Sequence, residues 1–174
     1  LDDIGIFMTQ KQFDDPFEPH LIYSLRGDNG FFRGDPPISE GELSSLQKAL
    51  PNIMLPNDYL AFLQIHNGFC KTTDCTGVIN SKLVPTTYAS LCSLLQQQEP
   101  IYTSKGSVVD PLSLIPFYES LGMPFYQCFW TEWYPEQEMG NVYVMADSRT
   151  VSDIYSDASS SEKMAFPTFI DWLA

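Results

Sequence analysis

The chain is 174 residues long, which is the size of one domain. With 44% hydrophobic and 18% charged residues it has a globular rather than a disordered composition. Its 9 basic and 22 acidic residues give a formal net charge of −13. This charge argues against binding to nucleic acid or to an anionic membrane surface, because both require clustered Lys and Arg. It favours a basic partner, although an acidic surface also serves solubility alone.

The chain contains no apolar run near the roughly 20 residues of a membrane helix, and no signal-peptide pattern opens it. We therefore expect a cytoplasmic protein, while the start at Leu1 leaves a removed leader open. Cys70 and Cys75 are the only close pair among four cysteines. They lack a second pair or nearby histidines, so reduced structural thiols are favoured over a metal site.

Residues 1–37 are interpreted as an N-terminal arm. Two apolar runs, 20–26 and 31–32, flank the Asn29-Gly30 pair, which predicts a β-hairpin. Such an arm can add strands to the edge of a sheet or cover it.

Residues 38–174 are interpreted as the main domain, which opens with two helices. Ser39 and Glu42 have the spacing of a capping box, and leucines at helical spacing follow as far as Leu50. A second helix starts near Pro56, and the Asn67-Gly68 pair predicts its end.

The rest of the domain is predicted to contain one helix, several strands and a closing helix. A helix is expected over 86–98 and strands over 113–117, 125–130 and 141–146. A strand over 151–155 would pair with the one over 141–146. The apolar residues of the segment 166–173 would dock on the sheet as a short helix. This order predicts an α+β fold: a mostly antiparallel sheet flanked by N-terminal helices and a short C-terminal helix.

The second helix also carries a family resemblance. It begins Leu-Pro-Asn-Asp-Tyr and closes on His-Asn-Gly, a pattern that resembles the SUKH superfamily of bacterial immunity proteins and fungal Smi/Knr cell-wall synthesis regulators. Segments 83–85, 114–117, 140–144 and 166–173 are similar to later segments of that family. The resemblance implies a SUKH-like fold over 38–174, with these motif residues: Leu55, Pro56, Asp58, Tyr59, Phe62, Leu63, Asn67 and Gly68. The aromatic segment 125–134 departs from the family by lacking its usual Asp, and the arm has no counterpart.

The sequence shows no catalytic constellation. His20 and His66 are the two histidines, and no phosphate-binding loop, dinucleotide fingerprint or nucleophile elbow is present. We interpret His66 as filling the last turn of the second helix, where it meets the negative end of the helix dipole. Glu136 and Glu138 could serve a glycosidase, but a solvated loop is the simpler reading. We therefore expect no enzyme activity and no cofactor.

An aromatic and acidic segment is the candidate partner-binding site. Large aromatic side chains are frequent in binding hot spots, and carboxylates around them would select a basic partner. The alternative is a strand that belongs to the core beside an incidental loop. The candidate residues are Trp130, Glu132, Trp133, Tyr134, Glu136 and Glu138.

These observations lead to two functional hypotheses. The first is a non-enzymatic, immunity-type protein, a monomer or weak dimer, that binds and neutralises a basic toxin domain. The alternative is a scaffold or regulatory protein similar to the cell-wall regulators, without a toxin partner. Substitution of Trp133 and Tyr134, compared with substitution of Glu136 and Glu138, would distinguish them.

Overall fold

The fold is that of an α+β protein, as the sequence predicts. The computed structural model describes residues 3–9, 18–24, 30–74, 76–103, 107–120, 125–132, 140–145, 150–151, 165–166 and 168–174. The helices are α1 (Glu40–Ala49), α2 (Asn57–Leu63), α3 (Val84–Gln96) and α4 (Phe169–Leu173). The strands are β1 (Asp3–Thr9), β2 (Glu18–Ser24), β3 (Phe31–Gly34), β4 (Phe69–Lys71), β5 (Gly77–Val78), β6 (Ile101–Thr103), β7 (Val108–Val109), β8 (Leu114–Ser120), β9 (Phe125–Trp130), β10 (Gly140–Met145), β11 (Thr150–Val151) and β12 (Ala165–Phe166).

Within the described residues the strands form two sheets. The main sheet has nine strands in the order β1-β2-β3-β4-β5-β8-β9-β10-β12, and all its neighbours are antiparallel. The smaller sheet has the order β11-β6-β7. None of the helices in the described part of the chain is long and apolar enough to span a membrane.

Two apolar clusters hold these layers together. The first core joins α1, α2 and α4 to the main sheet and is centred on aromatic rings: those of Phe117 and Phe129 stack with centroids 4.2 Å apart. The second core lies between the C-terminal half of α3, the smaller sheet and β8 and β9, with Leu91, Leu95 and Cys128 among its buried residues. Burial of this apolar surface is the main driving force for the fold.

The arm strands join the main sheet. Strand β2 pairs antiparallel with β1 and β3, and β3 pairs with β4. The Asn29-Gly30 turn falls mostly outside the described residues. The division into an arm (1–37) and a domain (38–174) stays a prediction.

The strand predicted over 151–155 is described only at Val151, which lies in β11 and pairs in parallel with β6. Residues 152–155 lie outside the described residues, so the pairing of that strand with 141–146 stays a prediction. Two other local predictions are wrong. Helix α2 ends at Leu63, before Asn67-Gly68, although the N–H of His66 still bonds to Phe62 O at 2.9 Å. In α4 only one side docks, so Ile170 and Leu173 remain 52% and 43% exposed.

Candidate protein-interaction surface

The start of α2 is fixed by Asp58. Pro56 is the N-cap, where its missing N–H costs no hydrogen bond. The carboxylate of Asp58 accepts the backbone N–H of Tyr59 at 2.9 Å and that of Ile170 at 3.0 Å. Asp58 therefore joins the first turns of α2 and α4, a contact between residues 112 apart that the sequence alone did not indicate.

The apolar motif residues of α2 lie in the first core. Tyr59 and Leu63 are fully buried, Leu55 is 9% exposed, and Phe62 is half-buried against Phe169 at 5.3 Å between centroids. The ring of Tyr59 contacts those of Phe117, Phe129 and Phe169. Burial raises the pKa of its hydroxyl, which has no hydrogen-bond partner among the described residues.

Asn67 and Gly68, at the end of the motif, lie among polar contacts that join the arm to the main domain. Gly68 has φ +119°, and its carbonyl accepts the N–H of Asp35 at 3.0 Å. The side-chain oxygen of Asn67 accepts the N–H of Ser81 at 3.1 Å. The carboxylate of Asp35 in turn accepts from Asn80 Nδ2 at 2.9 Å and lies 3.2 Å from Arg33 Nε.

His66 follows the end of α2, its backbone N–H still bonds to Phe62 O at 2.9 Å, and its side chain bonds to the arm. Its Nε2 is 2.6 Å from the hydroxyl of Tyr23, and its Nδ1 is 3.2 Å from the carbonyl of Asp35. Since a carbonyl only accepts, Nδ1 carries the proton and Nε2 accepts from Tyr23. The ring packs over Gly34, where a Cβ would come within 2.5 Å of its Cε1. We call this set of contacts the His66 junction.

The sequence-predicted partner site is only partly described. Trp130 is 9% exposed in the second core, so it offers little surface to a partner. Glu132 is exposed at the end of β9. Trp133, Tyr134, Glu136 and Glu138 lie outside the described residues, and partner binding by this segment stays a prediction.

A second aromatic group lies on the helix-covered face of the main sheet. Strand partners have their side chains on the same face. Tyr23 of β2 is the strand partner of Phe32 of β3. Val78 of β5 is the strand partner of both Phe69 in β4 and Tyr118 in β8, so these three side chains share one face. Helix α4 adds a ring that contacts Tyr118 at 5.2 Å. All five rings are half-buried, and we call them the aromatic face: Tyr23, Phe32, Phe69, Tyr118 and Trp172.

Charged groups border this aromatic face. Lys71 Nζ lies over the ring of Phe32, 5.8 Å from its centroid. The N–H of Thr76 donates to Asp74 at 2.9 Å, and this bond lowers the pKa of the Asp74 carboxyl. Burial raises the pKa of Tyr118, and the negative charge of Asp74 raises it further. A cation thus lies over one of the half-buried rings, and the charge of Asp74 acts on another.

An open groove of about 670 Å³ lies between α1 and the start of α3. Glu42 and Lys82 form an ion pair of 2.9 Å across it, and Glu42 also accepts from Ser39, so its polar groups bond to one another. The predicted capping box of Ser39 and Glu42 is confirmed.

The cysteines described are not arranged as metal ligands. Cys92 and Cys128 are buried, and burial raises the pKa of both thiols. Within the described ranges, no three His, Cys, Asp or Glu side chains lie close enough to hold a metal ion. Cys75 lies outside those ranges.

The fold is that of an α+β protein with a half-buried aromatic face, on a chain of net charge −13. The model of the SMI1/KNR4 family (SUKH-1) matches residues 37–174, and the chain belongs to this family. The family resemblance inferred from the motif helix is thereby confirmed. It is a family of interaction, immunity-type and regulatory proteins. Comparison with individual curated proteins gives no match.

Sequence reasoning did not find the aromatic face. Its members come from β2, β3, β4, β8 and α4, and no local pattern joins them. Cross-strand register and the packing of α4 place them together, and a slip of one residue would turn a strand's rings to the other face.

Proposed function

We propose that this chain is a non-enzymatic protein-binding member of its family, of the immunity type, that occupies a basic toxin domain. The net charge of −13 is the observation that carries this proposal, because it attracts a basic protein over long range.

The net charge supports a basic partner. With 22 acidic against 9 basic residues, the chain attracts a cationic protein over long range and accelerates encounter. A toxin that acts on nucleic acid is itself basic, because its substrate is polyanionic. An acidic protein therefore competes for the surface that the substrate would use.

The environment of His66 supports a binding role rather than catalysis. The residue is 7% exposed, and both ring nitrogens are engaged by Tyr23 and Asp35. A general base needs a nitrogen within reach of the proton it removes. His66 instead connects the arm to the main domain through its two hydrogen bonds.

The test is binding to the C-terminal domain of a toxin encoded beside this gene. We expect a complex with a Kd in the nanomolar range whose association rate falls steeply between about 50 and 500 mM NaCl, and loss of toxin activity on binding. Binding that is weak and indifferent to salt would contradict the proposal.

The alternative is a regulatory scaffold without a toxin partner. It is favoured if the partner recovered from cells is no toxin and if affinity depends on the aromatic rings while salt has little effect. Turnover of a small molecule that disappears in His66→Ala would contradict both candidates.

A further inference from the structure

The open groove between α1 and the start of α3 has one wall made of small side chains. Gly41, Ser45 and Ala49 all line the groove, and all three are exposed. Residues four apart lie on the same side of a helix, so these three form a row about 12 Å long. A Cβ placed on Gly41 would meet nothing within 4 Å. This side of α1 is therefore open, and its small side chains let another backbone approach closely.

The opposite wall contains a buried hydroxyl without a partner. Ser81 lines the groove and is 2% exposed, and its Oγ has no hydrogen-bond partner among the described residues. It is the exception among the polar side chains of the groove, since Glu42 bonds to both Ser39 and Lys82. A buried hydroxyl without a partner destabilises a protein. A bound molecule that supplies the missing hydrogen bond would remove this cost.

The wall that carries Ser81 is held in place by the motif residue Asn67. The side-chain oxygen of Asn67 accepts the N–H of Ser81 at 3.1 Å. Asn80 bonds to the residues that follow, because its Oδ1 accepts the N–H of Lys82 at 3.0 Å and its carbonyl accepts that of Leu83 at 2.8 Å. The backbone at Ser81 is thus fixed before any partner arrives, which lowers the entropy cost of binding.

A charged carboxylate and an exposed ammonium lie in the same groove. Lys82 Nζ is 2.9 Å from Glu42 Oε1, and the lysine side chain is 69% exposed. Hydrogen bonds from Ser39, and then Lys82, lower the pKa of Glu42 to about 2, so its carboxylate is charged at neutral pH. Exposed ion pairs of this kind are weak. A guanidinium from a partner, with its five donors, can therefore take the place of the Lys82 ammonium.

We propose that this groove binds a helix of the basic partner, which lies along Gly41, Ser45 and Ala49 and directs an arginine to Glu42. An open groove encloses no small molecule, whereas about two turns of a helix match the length of the row. A polar side chain of the same helix bonds to Ser81. This inference rests on the proposed binding function and adds the site on this chain and the element of the partner that occupies it.

Two exposed residues of α1 provide a matched pair of variants. Ser45 lines the groove, whereas Gln47, about 200° further around the helix axis, does not. Calorimetric titration measures the Kd of each variant for the C-terminal domain of the toxin encoded beside this gene. We expect Ser45→Trp, which fills the groove, to weaken binding by about tenfold or more, and Gln47→Trp to change Kd by less than about twofold. Ser45→Leu should weaken binding in the same direction if the tryptophan variant does not fold.

Ser81→Ala separates a role in binding from a role in folding. The hydroxyl has no described partner in the free chain, so urea unfolding should show equal or greater stability. The Kd for the toxin domain should nevertheless rise about three- to tenfold, because the polar group of the partner is left unpaired. A loss of stability with an unchanged Kd would contradict the proposal, since the hydroxyl would then act within the free chain.

Two lysines test the arginine at Glu42. Lys82→Gln and Lys48→Gln remove the same charge, but only Lys82 lines the groove, so its variant should bind about two- to fivefold more tightly than the Lys48 variant. Equal affinities would contradict the exchange at Glu42. If the wild-type chain forms no complex, the proposed function fails and this inference with it. If it forms one but Ser45→Trp binds equally well, or Gln47→Trp weakens binding as much, the inference alone is wrong.

Discussion

Replacing Gly34 with alanine should break the His66 junction. The added Cβ would lie 2.5 Å from His66 Cε1 and 3.0 Å from its Cγ, whereas ordinary carbon contacts are near 3.5–4 Å. Gly34 is not among the described residues with positive φ, so the clash with the ring is the only expected cost. The imidazole must retreat, and its bonds to Tyr23 and Asp35 are then lost.

The expected loss follows from these two effects. Overpacking costs about 1–3 kcal/mol, and a net hydrogen bond contributes about 0.5–1.5 kcal/mol. Since two hydrogen bonds are lost, Gly34→Ala should lower the free energy of unfolding by about 2–6 kcal/mol, a large share of the roughly 5–15 kcal/mol of a typical domain. Urea unfolding followed by circular dichroism measures this loss, and amide exchange shows whether β2 is released first.

Gly41→Ala is the matched control. Gly41 lies in α1, and a Cβ there meets nothing within 4 Å. Alanine favours the helix, so this variant should be about 0.5–1 kcal/mol more stable. The reasoning is refuted if Gly34→Ala loses less than about 0.5 kcal/mol, the range of ordinary surface substitutions.

Three further substitutions test other parts of the structure. Tyr59→Phe removes a buried hydroxyl without a described partner, so urea unfolding should show equal stability or a gain of up to about 1–2 kcal/mol; a loss above about 1 kcal/mol would mean that the hydroxyl is bonded. Asp58→Ala removes the acceptor shared by Tyr59 and Ile170 and should cost about 1–2 kcal/mol, while Asp58→Asn, which keeps an acceptor, should cost less; equal losses would contradict the capping role. Hydrogen bonds from Ser39, and then Lys82, lower the pKa of Glu42 from 4.5 to about 2, so its contribution is present above pH 4.5 and lost as the pH falls towards 2. The stability difference between wild type and Glu42→Gln should therefore shrink across that window, and a difference that stays constant would refute the assignment.

The sequence predicts the elements whose signals are local. The capping box of Ser39 and Glu42 is a four-residue pattern, and α1 begins at Glu40. The family motif likewise lies in one stretch of chain. Strand β9 is found over Phe125–Trp130, because its aromatic residues favour a pleated, half-buried surface.

Features that depend on tertiary contacts were not predictable in this way. The Asn67-Gly68 pair has the sequence of a helix end. In the structure the N–H of Asn67 donates to Pro36 O, so this pair instead connects the arm to the main domain. Strand β11 pairs with β6, whose partner Tyr102 is 48 residues from Thr150, and no local pattern encodes that distance. The aromatic face requires the register of five strands at once.

Association of the chain with the C-terminal domain of the toxin encoded beside its gene, measured between about 50 and 500 mM NaCl, tests the central claim most directly. The account predicts a complex whose association rate falls steeply as the salt concentration rises. The absence of a complex, or an association rate that salt leaves unchanged, would contradict it.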